Sequence, residues 1–212
     1  MASVGEARTA IVHGADAVGL VSAMPSGPGP IAEDLIAAIV QSLPPMVGSF
    51  LLTSLQDPVA IVAQQRRCRA NTLQIVDSLP LDAYAVLHEA LPGVAIVQVI
   101  HVRDESAIRD AQVVAPFVDA ILLDSGNPSL AVKELGGTGR VHDWNVSRRL
   151  RESVDVPVIL AGGLTSANVR AAIAAVRPFA VDVCSGVRSN GALDERKLTA
   201  FLGAVAEPDC ER

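Results

Sequence analysis

The chain has 212 residues, of which 50% are hydrophobic and only 3% are aromatic, and its formal net charge is -6. A core built from Ala, Val, Ile and Leu is typical of α/β proteins. The negative charge and the absence of a Lys/Arg run argue against a nucleic-acid-binding surface. No apolar stretch reaches the roughly 18 residues of a membrane span, and the first residues lack the features of a secretion signal, so we expect a cytoplasmic protein that binds no membrane.

The cysteines indicate neither a metal site nor a disulfide framework. Cys68, Cys184 and Cys210 are an odd number at unrelated spacings, and such a set is typical of reduced thiols. We therefore expect no metal and no cofactor.

Short apolar runs alternate with helix-like segments along the whole chain, at intervals of roughly 20 to 30 residues. Strand-like runs begin at Asp16, Met46, Thr72, Val94, Asp119, Val156 and Ala180. Helix-like segments begin near Ser3, Ile31, Asp57, Leu81, Asp104, Asn145, Thr165 and Asp194. Because the apolar runs are nearly continuous, the strands should be covered on both faces, as in a parallel sheet. No composition break marks a linker, and residues 1–212 are predicted to form one domain.

Two helix starts carry capping signals. Asp57 precedes Pro58, which suits the first turn of a helix, and is expected to accept hydrogen bonds from the first free amides. Thr165 or Ser166 is expected to cap the next-to-last helix in the same way.

Seven strands with eight helices leave two folds open. A doubly wound open sheet tolerates seven strands, whereas a closed (β/α)8 barrel needs eight. In the barrel interpretation the first strand is missing, and the chain begins on the helix that follows it.

Two glycine-containing turns at the ends of late strands favour the barrel. Gly162 and Gly163 follow one strand, and Ser185 and Gly186 follow the next. In barrels a phosphate group is commonly bound by the loops after strands seven and eight, where free amides favour an anion. One such turn alone is more often only a tight turn, but both in order predict a phosphate site.

Several separate motifs then resemble one family in order. The segments GADAVGL, ILLDS, GGTGRVHDW, VILAGGLTSANVRAAI, RPFAVDVCSGV and LDERKLTAFL are similar to those of phosphoribosylanthranilate isomerase, most densely from about Asp119 onward. The resemblance implies a TIM (β/α)8-type barrel that is incomplete at strand one. It also implies an Amadori rearrangement in tryptophan biosynthesis, which converts an aminoaldose phosphate into an aminoketose phosphate.

The resemblance also implies site residues. Asp124, which ends the strand ILLD, takes the role of the general acid that opens the sugar ring, and such an acid needs a raised pKa. Gly136, Gly137 and Gly139 would shape a loop that folds over a small phosphorylated substrate.

The sequence departs from the family pattern at four places. The family's general base is a cysteine in a first-strand Lys-Ile-Cys-Gly segment, and this chain begins after the place of that strand. The loop VSAMPSGPGPI has no arginine for the anthranilate carboxylate, Val76 and Asp77 replace His-Gly, and Arg188 replaces a glutamate. Two alternatives to the isomerase therefore stay open: a diverged barrel for another phosphorylated sugar derivative, and a phosphate-ligand-binding protein without catalysis.

Other residues are candidates for the missing base. His101 ends a strand and should point at the barrel mouth if strand alternation turns it inward. Cys184 is either a thiol near the same cavity or a small buried residue. His142 is expected to be solvent-exposed in a loop and to have no role. A missing strand would leave two strand edges unpaired, and we expect them to approach each other or to be covered in a homodimer.

Overall fold

Strands and helices alternate throughout the computed structural model, which describes residues 1–25, 27, 29–126, 133 and 141–206. The helices are α1 Val4–Val12, α2 Glu33–Ser42, α3 Pro58–Cys68, α4 Leu81–Ala90, α5 Ser106–Val114, α6 Trp144–Glu152, α7 Val169–Val176 and α8 Glu195–Ala206. The main strands are β1 Ala17–Val21, β2 Gly48–Thr53, β3 Thr72–Ile75, β4 Ala95–His101, β5 Ala120–Asp124, β6 Val158–Leu160 and β7 Ala180–Val181. Every strand and helix predicted from the sequence is present in the predicted order.

The seven main strands form one parallel sheet in the order β1-β2-β3-β4-β5-β6-β7. This α/β fold is a curled half-barrel, so the prediction of a parallel sheet is confirmed. Among the described residues, β1 and β7 are the edge strands and do not pair with each other.

The two faces of the sheet bury different side chains. The larger apolar cluster includes alternate strand residues such as Leu73, Ile75, Ile121 and Leu123, together with the buried faces of the helices. The smaller cluster fills the concave inner face with Val76, Val97, Val99, Leu122, Ile159 and Ala161. Since side chains two residues apart on a strand share a face, this pattern fixes which strand-end residues point inward.

The helix starts confirm one capping prediction and correct the other. Asp57 caps α3, and its carboxylate accepts a 3.0 Å hydrogen bond from the Ala60 amide. The prediction for α7 is wrong, because the N-cap of α7 is Asn168 and the helix begins at Val169. The residues from Gly163 to Asn168 form a longer turn than the sequence suggested.

A short antiparallel hairpin that was not predicted follows β7. Strands β8 Arg188–Ser189 and β9 Ala192–Leu193 are joined by Asn190 and Gly191, whose φ angles are 51° and 81°. Two successive residues with positive φ match the turn type that Asn-Gly favours in hairpins. The dipeptide was therefore a usable signal.

The free edge of β1 carries hydrogen bonds from outside the sheet. The Gly19 carbonyl accepts from the amino group of Met1 at 2.5 Å, and the Val21 carbonyl accepts from the Ile31 amide at 2.9 Å. Two acceptors of this edge are thus satisfied within the described residues.

Among the described residues, no helix is both long enough and apolar enough to cross a membrane. The longest, α8, has 12 residues, whereas a span needs about 20.

Candidate active site

The carboxyl ends of β4 and β5 bring His101 and Asp124 side by side. The two residues are direct register partners in adjacent parallel strands. Val99 and Leu122, two residues earlier on each strand, lie in the inner cluster, so both His101 and Asp124 point inward at the mouth of the half-barrel. The expected inward orientation of His101 therefore holds.

Asp124 is in an environment that favours its protonated form. Its side chain is buried, and burial raises the pKa of the carboxyl above its usual value. The Ser125 amide, which donates a hydrogen bond to the carboxylate, and the charge of His101 both lower the pKa and oppose this shift. A carboxyl that holds its proton at higher pH is suited to act as an acid.

His101 has one ring nitrogen engaged and one without a partner. Nε2 lies 3.0 Å from the Val76 carbonyl oxygen. A carbonyl can only accept, so Nε2 carries the proton of this bond. Nδ1 is buried and has no hydrogen-bond partner in the part of the chain that the structure describes. In the neutral ring Nδ1 therefore presents a lone pair at the strand end next to Asp124.

The turns after β6 and β7 meet at one cavity. A cavity of about 330 Å³ is lined by Gly163, Leu164, Thr165, Ser166, Ser185, Gly186 and Lys197. The two turns touch, because a Cβ built on Gly186 would lie only 2.0 Å from the Leu164 carbonyl oxygen. Three of the four residues predicted to bind phosphate thus line the same cavity.

The side chain of Asn168 holds the turn after β6 in shape. Its Oδ1 accepts from the Thr165 amide at 2.8 Å, and its Nδ2 donates to the Gly163 carbonyl at 3.0 Å. Gly163 itself has a φ of 63°, a conformation that glycine adopts without strain. Asn168 is a site-shaping residue that the sequence analysis missed, although the spacing Thr-x-x-Asn was visible.

Lys197 brings a positive charge to the same cavity. Its ammonium donates to the Arg188 carbonyl at 2.9 Å, which uses one of its three donor hydrogens. The sequence analysis did not single out this residue, because Lys197 lies in α8 and not in either glycine-containing turn.

Gly162 faces the acid and is not among the described residues that line the cavity. A Cβ built on Gly162 would lie 3.1 Å from the Ser125 amide nitrogen and 2.9 Å from His142 Nδ1. The same Ser125 amide donates to Asp124. The Ser125 amide therefore lies between the Asp124 carboxyl group and the Gly162-Gly163 turn.

His142 is not the exposed loop residue that was expected. Only 9% of it is exposed, and both ring nitrogens are buried without a partner among the described residues. Burial lowers the pKa of His142 to about 4, although the nearby Asp143 carboxylate acts in the opposite direction. The expectation was wrong because contacts with Gly162, twenty residues later, bury the ring.

Asp182 is a second inward-facing carboxyl that the sequence analysis missed. Ala180 contacts the inner cluster, so Asp182, two residues later, projects to the same side. Surrounding protein and the charge of Asp124 raise the pKa of Asp182 to about 6, against a smaller opposing effect of the Met1 amino group. The side chain keeps contact with solvent at the edge of the sheet, which limits how far burial can shift it.

Cys184 is exposed. The interpretation as a small buried residue is therefore wrong. Partial burial of the thiol and the Asp182 carboxylate raise its pKa. A reactive or proton-accepting cysteine needs the opposite shift. The environment of Cys184 therefore disfavours it as a base.

Two residues that depart from the family pattern are held in ion pairs. Asp77, whose side chain is only 7% exposed, pairs with Lys133 and also accepts from the Ser78 amide at 2.9 Å. Arg188 pairs with Glu6 of α1 at 2.7 Å. These pairs link the mouth of the half-barrel to a distant loop residue and to the first helix.

The predicted loop glycines Gly136, Gly137 and Gly139 lie outside the described residues. The described part of the site combines a cavity lined by glycine turns, hydroxyl side chains and one lysine with a neighbouring group of titratable side chains. Such an arrangement is suited to acid–base chemistry on a phosphorylated compound.

Comparison with known proteins identifies a family. Residues 5–204 match the family model described as N-(5'-phosphoribosyl)anthranilate (PRA) isomerase. The N-(5'-phosphoribosyl)anthranilate isomerase of Methanocella arvoryzae is 40% identical over 184 residues, which cover 87% of this chain and 84% of that protein.

Solved structures show the same similarity. A phosphoribosylanthranilate isomerase in complex with reduced 1-(o-carboxyphenylamino)-1-deoxyribulose 5-phosphate superposes with a TM-score of 0.80 and 27% identity, over 96% of this chain and 94% of that chain. Monomers generated from the dimeric phosphoribosylanthranilate isomerase of Thermotoga maritima give a TM-score of 0.79 and 25% identity, with the same coverage.

Proposed function

This chain belongs to the N-(5'-phosphoribosyl)anthranilate isomerase family, and we propose on that premise that it catalyses the Amadori rearrangement of an aminoaldose phosphate in tryptophan biosynthesis. One observation carries the proposal. The turn that contributes Gly163 to the cavity packs at Gly162 against the Ser125 amide, and that amide donates to the buried, inward-facing Asp124.

The phosphate of the substrate would bind in the cavity formed by Gly163, Ser185 and Gly186. Turns of this kind present main-chain N–H groups, and close approach of the main chain to an anion requires residues without a Cβ. Lys197 would add a positive charge at the rim of the cavity. Gly162 would instead keep the Ser125 amide close to Asp124.

Asp124 would act as the general acid. Its proton goes to the ring oxygen of the aminoaldose, the bond between that oxygen and C1 breaks, and the nitrogen lone pair forms the C=N bond of the Schiff base. Burial raises the pKa of Asp124 and so favours the protonated form that an acid needs.

A base would then remove the proton from C2 of the Schiff base. The electron pair of that C–H bond forms the C1=C2 double bond, and the π pair of the C=N bond returns to the nitrogen. The resulting enolamine becomes the ketone when its C2 hydroxyl loses a proton and C1 gains one, so no external oxidant or reductant is needed. Within the described residues His101 is the candidate, since its Nδ1 has a lone pair and no partner. The carboxylate of Asp182 lies on the same inner face and is a second candidate. The glycines at 136, 137 and 139 would form the loop that covers the substrate.

We further propose that one more strand pairs with both β1 and β7 and closes an eight-stranded barrel. Within the described residues neither strand has a second strand partner, and unpaired edges are normally covered. A homodimer could cover them as well, and the Thermotoga maritima relative is described as dimeric.

We also propose that the protein acts in the cytoplasm.

The test is an isomerisation assay of four proteins with N-(5'-phosphoribosyl)anthranilate as substrate: this chain, this chain preceded by a strand with the Lys-Ile-Cys-Gly segment, and the Asp124→Asn variant of each. We expect turnover that Asp124→Asn abolishes, and higher turnover and thermal stability in the extended protein. Equal activity of the Asp124→Asn variant would contradict the assignment of the acid.

One sequence observation favours a different substrate. The segment from Val21 to Ile31 contains no Lys or Arg, so it offers no partner for the carboxylate of anthranilate. The alternative is a barrel that acts on another phosphorylated sugar derivative. Turnover of aminoaldose phosphates that lack the aromatic carboxylate, with none of the anthranilate compound, would identify it. Binding of the reduced product analogue without any turnover would instead identify a binding protein.

A further inference from the structure

His142 is a buried polar side chain that has no hydrogen-bond partner among the described residues and no part in the proposed proton transfers. Both Nδ1 and Nε2 are inaccessible to solvent, and neither has a hydrogen-bond partner in the described ranges. Buried polar groups are nearly always hydrogen-bonded, because an unpaired one destabilises the fold. An unpaired imidazole beside an active site therefore indicates a partner that is engaged in another state of the protein.

The geometry around Gly162 identifies that partner. A Cβ built on Gly162 would lie 2.9 Å from His142 Nδ1, 3.1 Å from the Ser125 amide nitrogen and 3.2 Å from Ser125 Oγ. The imidazole and the polar atoms of Ser125 thus converge on the same side of Gly162. Because glycine has only a hydrogen there, no side chain separates them, and Gly162 has a φ of 83° that also favours glycine.

We propose that His142 is a positioning residue for Asp124 that acts through Ser125: with substrate bound, its Nδ1 accepts a hydrogen bond from the Ser125 hydroxyl and fixes the Ser125 amide on the acid. The inference rests on the proposed function, since that function makes Asp124 the general acid. His142 holds its place because the neighbouring Asp143 caps α6 through a 2.8 Å bond from the Asn145 amide.

The protonation state of the ring fits this role. Burial lowers the pKa of His142 to about 4, so the ring is neutral near pH 7 and one nitrogen can accept. A charged imidazolium in this place would favour the ionised form of Asp124 and remove the proton that the acid must donate.

Three substitutions test the proposal. His142→Phe keeps a ring of similar size and removes both nitrogens. His142→Asn keeps a polar atom near the position of Nδ1. Trp144→Phe is the control, because Trp144 Nε1 is a second buried nitrogen without a partner among the described residues, and its loss should leave catalysis unchanged.

We expect His142→Phe to raise Tm, since it removes unpaired buried nitrogens, and to lower kcat between about tenfold and a hundredfold with KM unchanged. His142→Asn should keep kcat within about threefold of the parent, and Trp144→Phe within about twofold. A higher Tm of His142→Phe with an unchanged kcat would overturn the proposal. Equal losses in His142→Phe and His142→Asn would overturn it too.

A measurement without turnover separates this inference from the proposed function. With carboxyl-labelled aspartate, NMR gives the pKa of Asp124 in the presence of the reduced product analogue. His142→Phe and Ser125→Ala should each raise that pKa, because the Ser125 amide bond that lowers it is held less firmly. An unchanged pKa in both variants refutes the positioning role even in a protein that shows no isomerase activity, and a raised pKa supports it there.

Discussion

The anion-binding turns and the proton-transfer edge of this site are built in different ways. The cavity after β6 and β7 is formed mainly by main chain, with Gly186 directly against the Leu164 carbonyl. The edge formed by His101, Asp124, His142 and Asp182 consists of side chains, and the surrounding protein shifts the pKa values of Asp124, His142 and Asp182. A main-chain site depends on local geometry, whereas a proton-transfer site depends on what distant segments place around it.

The substitution Asp124→Asn separates the contributions of the two regions to catalysis and to binding most clearly. We expect kcat to fall about 10²- to 10⁴-fold, because an amide cannot donate the proton that opens the ring. Binding of the reduced product analogue, measured by calorimetry, should change little. Asp110→Asn, at an exposed position of α5, is the control and should leave kcat unchanged. Loss of analogue binding in Asp124→Asn would show that the two regions are not separable.

The converse change is Gly186→Ala. The added methyl would lie 2.0 Å from the Leu164 carbonyl oxygen, so the two turns must move apart. We expect the Kd of the reduced product analogue to rise at least about tenfold, which corresponds to roughly 1.4 kcal/mol.

Gly203→Ala is the matched control for that substitution. Gly203 lies in α8, and a Cβ there meets nothing within 4 Å. It should stabilise the fold by about 0.5–1 kcal/mol and leave binding unchanged. If Gly186→Ala binds the analogue as well as Gly203→Ala does, the cavity is not the phosphate site.

The sequence indicated the two regions unequally. The turns were visible because Gly-Gly and Ser-Gly stand directly at the ends of apolar runs, and the strands and helices followed from apolar periodicity. Asp124 was found through the resemblance of the segment ILLDS to the family. The position of His142 was predicted wrongly and Asp182 was missed, because the neighbours of these side chains, among them Gly162 and Asp124, are remote in sequence. The α7 cap was misplaced because the side chain of Asn168 makes hydrogen bonds to the main chain of Thr165 and Gly163.

The pH dependence of stability tests the missed residues. The pKa of His142 is lowered from 6.5 to about 4 in the folded protein, so the unfolded chain binds more protons between these values and stability falls as pH drops through this range. The pKa of Asp182 is raised from 3.8 to about 6, so its contribution is present at low pH and is lost as pH rises towards 6. The two effects oppose each other.

Urea unfolding between pH 4.5 and 7 would resolve them. Relative to the parent protein, His142→Phe should remove the stability loss on acidification. Asp182→Asn should make that loss steeper. Identical profiles for all three proteins would show that neither group has a shifted pKa.

The smallest expected effect concerns Lys197. Its ammonium lies at the rim of the cavity on an exposed residue, and exposed charges contribute about 0–1 kcal/mol. Lys197→Met should therefore weaken binding of inorganic phosphate by no more than about fivefold, and the weakening should diminish at high salt. A hundredfold loss would mean that this side chain, and not the main chain of the turns, dominates anion binding.

The most direct test of the central claim is a crystal structure of this chain with the reduced product analogue. The account predicts that the phosphate lies against the turns at Gly163 and Gly186, and that the sugar chain extends past Gly162 and places a hydroxyl group within hydrogen-bonding distance of Asp124. A phosphate bound elsewhere, or a sugar chain directed away from Asp124, would contradict it.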